Sequence, residues 1–329
     1  MRQHFQQIDI LKGLAIIAVL LLHSLLREQL MASYAVFHIW QAVPVFMVLM
    51  GLNLGMSYGS KTLHFNQLYT PHYFQKKALR IVFPLLLIYL FAFVAGYAWE
   101  QVYARDVYTL SWKNLIGVLP VSGKGNYFIT LLLQSLLVLP LIGYTFNHWP
   151  VRTFLVLLLI EVIFQLVAYQ LSYFHEDRYL YDAALFRYFS AIGVGLWLSR
   201  LIRIPDKRYS WLLLVAGFAS GVYLYFHQYH AFSLPYIRPE WQAQLFLTFP
   251  FATLLIYLGI LGFPQQSDGL AHRSMALIGK ASYHIFLVQV LYFGLIQDDT
   301  NIAQNLIICV AAGLVFYWSE SFLSKRLSK

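Results

Sequence analysis

"IDILKGLAIIAVLLLHSLL", Ile8 to Leu26, is apolar enough to lie in hydrocarbon, yet it carries Asp9, Lys12 and His23. Polar groups in that setting are costly and mark function more often than not. On an α-helix the eleven residues from Lys12 to His23 return to nearly the same face, about 16 Å apart along the axis. One stripe therefore joins a charged rim to an imidazole inside the bilayer. Asp9 falls one turn below Lys12, near that face. Charge is disfavoured in hydrocarbon, so His23 is expected neutral, with a ring nitrogen free to accept a proton as a general base. Snorkelling alone would account for Lys12, and a lone intramembrane histidine often only bonds a neighbouring helix.

The rest of the chain agrees with a membrane setting. Its 329 residues are 60% hydrophobic, 18% aromatic and 11% charged, with a mean hydropathy of +0.61. This is far from the composition of a soluble domain. The formal charge of +9 is spread between apolar blocks, so it does not form the basic face that nucleic acid requires and no nucleic-acid partner is expected. The single cysteine, Cys309, sits within an apolar block, which leaves no disulfide framework and no thiol metal site; no metal is expected. The first apolar block lacks a small-residue cleavage site and reads as a retained span rather than a signal peptide.

A bilayer core of about 30 Å needs roughly 20 apolar residues per helix. Ten segments meet that length approximately: 8–26, 36–57, 79–98, 127–146, 151–171, 183–202, 211–226, 243–263, 276–296 and 302–322. The expected fold is all-α, a polytopic bundle of about ten transmembrane helices forming one membrane-embedded domain over 1–329. The segmentation is tightest at "NHWP", Asn147 to Pro150, which alone separates the fourth and fifth segments.

Orientation follows from the positive-inside rule. With the N-terminus in the cytoplasm, Arg2, Lys12, Lys61, Lys76, Lys77, Arg80, Arg152, Arg200, Arg203, Lys207, Arg208, Arg273, Lys280, Lys325, Arg326 and Lys329 fall inside, 16 of the 23 cations. Nine acids, including Asp182, Glu240, Asp298 and Asp299, fall outside. An even span count puts both termini in the cytoplasm of a cell whose inner or plasma membrane holds the chain. Tyrosine and tryptophan gather near the span ends, as an aromatic belt does.

Two further constellations carry chemistry. In "YFQKKALRIVFP", Tyr73 to Pro84, Lys76 and Arg80 stand four residues apart on one face at the start of the third span, a geometry suited to phosphate. Simple positive-inside charge is the competing explanation. In "LLLIEVIFQL", Glu161 lies near the middle of the fifth span and must face protein or water, with His23 among its conceivable partners. "VSGKGN", Val121 to Asn126, is no phosphate loop, because its glycine spacing is wrong and no Ser or Thr follows Lys124.

Taken together these residues resemble the acyltransferase-3 family of integral membrane acyltransferases, which O-acylate envelope carbohydrates. That family opens with an IDxLKG or LRG motif, an apolar run and a histidine eleven residues after the basic residue, as Lys12 and His23 stand here. Its RxxxR pair in the third helix is matched by Lys76 and Arg80, followed by Pro84. Looser matches are "VPVFMVLMGLNLG" (Val43 to Gly55), "NYFITLLLQSLLVLPLI" (Asn126 to Ile142), "FRYFSAIGVGLWL" (Phe186 to Leu198) and "GKASYHIFLVQ" (Gly279 to Gln289), the last bringing in Tyr283; Glu320 falls where members often carry Glu. Three positions depart from the pattern: Lys76 for Arg, Met50 within the second-helix "SG", and Gln289 where a histidine is common. No SGNH-like domain follows Lys329, as in stand-alone members.

The resemblance implies acyl-CoA, with acetyl-CoA as co-substrate, docking its phosphates from the cytoplasm on Lys76, Arg80 and Lys12. His23, with Glu161 as a second candidate, would serve acyl transfer to a carbohydrate or lipid-linked sugar, by general-base or acyl-histidine chemistry. The rival reading is an exporter or flippase of an envelope glycan or lipid-linked sugar, with Lys12, His23 and Glu161 lining a polar path.

Overall fold

A computed structural model describes residues 5–59, 64–297 and 301–327. Arg2, Lys61, Asp298, Asp299 and Lys329, counted above among the charges, lie outside the described residues, as do the side chains of Glu240, Lys325 and Arg326. The described residues form helices and no strand.

Each of the ten apolar segments is met by a helix. These are α1 (Gln6–Ser24), α2 (Ala42–Tyr58), α3 (Pro71–Tyr103, α-helical but for a π-helical turn at Ala78–Val82), α4 (Tyr127–His148), α5 (Pro150–Gln170), α6 (Phe189–Arg203), α7 (Lys207–Tyr229), α8 (Phe249–Gly262), α9 (Leu270–Lys280), α10 (Ser282–Ile296) and α11 (Ile302–Leu327). Eight helices are long and apolar enough to cross a membrane singly. Two expectations are modified. The segment 276–296 is not one straight span: α9 and α10 meet at Ala281 with a bend of 65°. The segment 243–263 is helical over only 14 residues, Phe249–Gly262, about 21 Å of helix against a core of about 30 Å. Gln7 finishes that short helix, its Nε2 donating to the Ile260 and Phe263 carbonyls at 2.9 Å each. The tight "NHWP" junction does separate two helices, because Trp149 leaves helical geometry and Pro150 restarts it at the first position, where a missing N–H is harmless.

Small residues set the closest crossings. A helix pair in lipid gains from van der Waals contact between backbones, which glycine permits. At the α2–α6 crossing Gly51 lies on the Ile192 carbonyl and Gly195 on the Val48 carbonyl, with no room for a Cβ at either. At the α1–α9 crossing Gly13 and Gly279 press against the backbones of Met275 and Asp9. These contacts fix α1 and α2 inside the bundle, while α3, α5, α7 and α11 turn most of their surface outward.

One cation assigned to the exterior by the charge pattern is buried. Arg187, 3% exposed, donates to Asp182 at 2.5 Å and lies over the rings of Tyr181 and Tyr188, at 4.4 and 4.9 Å.

Gly195→Val should force α2 and α6 apart and lower the thermal midpoint by the equivalent of about 1–3 kcal/mol or more, the usual penalty of overpacking. Gly262→Ala, at a site with open space around it, should leave the midpoint unchanged in the same fluorescence thermal-shift measurement.

Candidate functional site

The stripe on α1 opens into a cavity of about 970 Å³ bounded by α1, α2, α3, α4, α10 and α11. Seven of the residues singled out from the sequence line it: Asp9, Lys12, His23, Lys76, Arg80, Tyr283 and Glu320. Segments up to 311 positions apart in the chain (9 to 320) thus meet on one wall.

The cationic part of the cavity is richer than the sequence motif. Lys77 and Lys280 join Lys12, Lys76 and Arg80, and His72 stands beside them. The described carboxylates on the wall are Asp9 and Glu320. Asp9 takes up part of the Lys12 charge through an ion pair of 3.2 Å, so Lys76, Lys77 and Arg80 are the less neutralised cations of the cavity. Their backbone is unusual. Pro84 has no N–H to give the Arg80 carbonyl, so the α-helical ladder cannot run through this turn, and Ala78–Val82 widens into a π-helix closed by the Phe83 N–H on the Ala78 carbonyl. Such bulges recur at functional sites. Tyr283 braces the turn, its hydroxyl donating to the Ile81 carbonyl at 3.0 Å. Thr70 caps the start of α3 by accepting from the Tyr73 N–H, and the Tyr73 hydroxyl ties that end to α4 at Leu136.

His23 occupies the other end of the cavity, in the last turn of α1. The loop Val121 to Asn126, set aside above as a phosphate loop, folds directly over it. Lys124 Nζ donates to the His23 carbonyl at 3.0 Å, and Gly125, at φ +86°, lies so close to the imidazole that a Cβ there would stand 3.1 Å from Nε2. Only glycine adopts that backbone freely and leaves the ring nitrogen uncovered. Gln289 holds the loop from below: its Nε2 donates to the Lys124 carbonyl at 2.9 Å. Gly123 N–H bonds the Val290 carbonyl at 2.9 Å, and the Phe293 ring meets the imidazole edge-on at 6.0 Å. The glutamine that replaces a family histidine is thus a brace for the loop. Two glycines flanking a lysine just before a helix were the sequence signal for this loop; its partner on α10 was not readable locally.

His284 is a second residue not singled out beforehand. It lines the cavity one turn and a half below Gln289, with Nε2 3.5 Å from Glu320 Oε2 and the rings of Phe316 and Tyr317 against it.

Glu161 is not brought to this cavity. It is fully buried between α5 and α6, where Oε2 accepts from the Ser190 N–H at 2.8 Å. That N–H belongs to the first turn of α6, whose N–H groups have no acceptor within their own helix and no side-chain cap at Tyr188. Glu161 therefore finishes a helix N-terminus from a neighbouring span, and its partner is a backbone amide instead of His23.

Replacing Glu161 by Ala should cost about 1–2 kcal/mol of stability, as loss of a cap does, and should not change turnover per folded molecule. Gly125→Ala should lower turnover by about tenfold or more by displacing the ring, while Gln289→His keeps a donor to the Lys124 carbonyl and keeps activity that Gln289→Leu loses. Steady-state assays normalised to folded protein separate these cases.

Comparison with curated proteins and with solved structures gave no match. A family model described as "Acyltransferase domain" matches residues 5–320, nearly the whole chain, and covers every residue of the cavity from Asp9 to Glu320. The chain is a member of the acyltransferase-3 family, a membrane acyltransferase.

Proposed function

We propose that this acyltransferase takes its acyl group, acetyl by preference, from acyl-CoA and delivers it to a hydroxyl of an envelope carbohydrate or lipid-linked sugar. The observation that carries the reading is the single cavity that holds five cations toward one end and an imidazole beneath a glycine at the other. Coenzyme A is polyanionic at its nucleotide end and bears its thioester at the tip of an extended arm. Lys76, Lys77 and Arg80 suit the phosphates, with Lys280 and the partly neutralised Lys12 beside them. The roughly 16 Å from Lys12 to His23 is within the reach of the pantetheine arm.

In this reading His23 accepts the proton of the acceptor hydroxyl as that oxygen attacks the thioester carbonyl. The carbon–sulfur bond breaks, and the departing thiolate takes the proton back from the imidazolium, so the enzyme is unchanged at the end of the turnover. The acyl-histidine route uses the same atoms in two steps: Nε2 takes the acyl group as the carbon–sulfur bond breaks and the thiolate leaves, and the hydroxyl then attacks the acyl carbon, freeing the imidazole while the hydroxyl proton passes to the thiolate. Gly125 matters for both, because a side chain there would cover Nε2. The cytoplasmic side of the cation-rich end belongs to the same proposal, and rests on the charge distribution read by the positive-inside rule.

His23→Ala should abolish transfer of label from [14C]acetyl-CoA to membrane glycans while the protein still inserts and folds; full retained activity would exclude the role. Lys76→Ala combined with Arg80→Ala should raise the KM for acetyl-CoA about tenfold or more, as expected for loss of two charge-assisted contacts, with a smaller change in kcat. An unchanged KM would remove the phosphate site.

A further inference from the structure

A second cavity, of about 1080 Å³, shares Tyr58 as a wall with the one that holds His23 but belongs to a different part of the bundle. Its floor is α6 at Val194, Trp197 and Leu201; Phe154 of α5 flanks it on one side and Leu212 and Ala216 of α7 on the other. Leu212 is 64% exposed, so the cavity is a crevice open to the surroundings of the bundle. In a membrane those surroundings are lipid chains.

Charge enters only at one end, where Arg200 and Arg203 close α6 and Asp206 follows. Among the described residues neither arginine forms an ion pair. The Asp206 carboxylate is engaged as the cap of α7, accepting from the Arg208 N–H at 2.8 Å. Both guanidinium groups are nonetheless held in place. Arg200 lies over the rings of Phe146 and Trp197, at 5.3 and 5.6 Å, and Arg203 rests against Gly59 while its Nε donates to the Ser199 carbonyl at 3.2 Å. Two positioned guanidinium groups with most donors unused, at the end of an apolar crevice, match a phosphate attached to an acyl chain. A free phosphate or nucleotide would make no use of the apolar length. Two guanidinium charges against the one carboxylate of Asp206 leave that end net positive, which disfavours the ammonium of a zwitterionic headgroup and favours a lipid with net negative charge.

We propose that this crevice binds one anionic glycerophospholipid, with its phosphate between Arg200 and Arg203 and an acyl chain along Trp197, Leu201 and Leu212. The inference does not depend on the acyl-donor reading, since none of these arginines lines the His23 cavity.

Native mass spectrometry of the delipidated protein tests it, with phosphatidylglycerol as probe and phosphatidylcholine as the zwitterionic, net-neutral comparison. The wild type should retain one phosphatidylglycerol in preference to phosphatidylcholine. Arg200→Gln combined with Arg203→Gln should lower that retention by about tenfold or more, with phosphatidylcholine binding unchanged. Arg200→Lys with Arg203→Lys, which keeps the charge, should retain most of it. Ala216→Phe, which fills the crevice and leaves the arginines in place, should lower retention independently and guards against failure of the arginine variants to fold. Equal retention in Ala216→Phe and wild type, displacement of the lipid by inorganic phosphate alone, or a dimer mass with the crevice occluded by a second copy would each overturn the proposal.

Discussion

The structure turns on a backbone contact: the first helix touches the ninth where Gly13 and Gly279 leave no room for side chains. In lipid no hydrophobic force draws helices together, so contact at this distance and satisfied polar groups must do so. Because α1 is seated that deeply, its Asp9, Lys12 and His23 cannot face lipid and are turned toward α2, α3, α10 and α11. The bend that follows Gly279 at Ala281 then carries α10 across the far end of the cavity, bringing Gln289 under the loop that covers the imidazole. One pair of glycines thus governs the position of both ends of the cavity.

Much of this was legible in the sequence because membranes make sequence patterns strong. Hydrocarbon thickness sets helix length, so eight of the ten apolar segments corresponded to single helices long and apolar enough to cross a membrane. Where the reading changed, interactions distant in the chain were responsible. The α9–α10 bend has no proline to announce it and lies two residues after Gly279, which packs against α1. The shortness of α8 is possible because Gln7, more than 250 positions away, satisfies its last carbonyls.

The candidate site divides in the same way. Lys12 and His23 were readable because both lie on one helix, where geometry is fixed by spacing. Lys76 and Arg80 were readable for the same reason, although the π turn that contains Arg80 was not. Lys280, His284 and Gly125 come from other helices or loops, and only the tertiary arrangement shows that they share the cavity. Glu161 illustrates the opposite case: a buried carboxylate signals that something needs it, and here one of its oxygens accepts from an amide at the start of a neighbouring helix, away from the His23 cavity.

The π turn at Ala78–Val82 has one more consequence. It holds one residue more than an α-helical turn, so the side chains before it are rotated by about 100° around the helix axis from where an unbroken α-helix would put them. Arg80 sits within it. Lys76 and Lys77, just before the turn, and Arg80, within it, are thereby offset around the axis from their α-helical positions, and all three line the cavity.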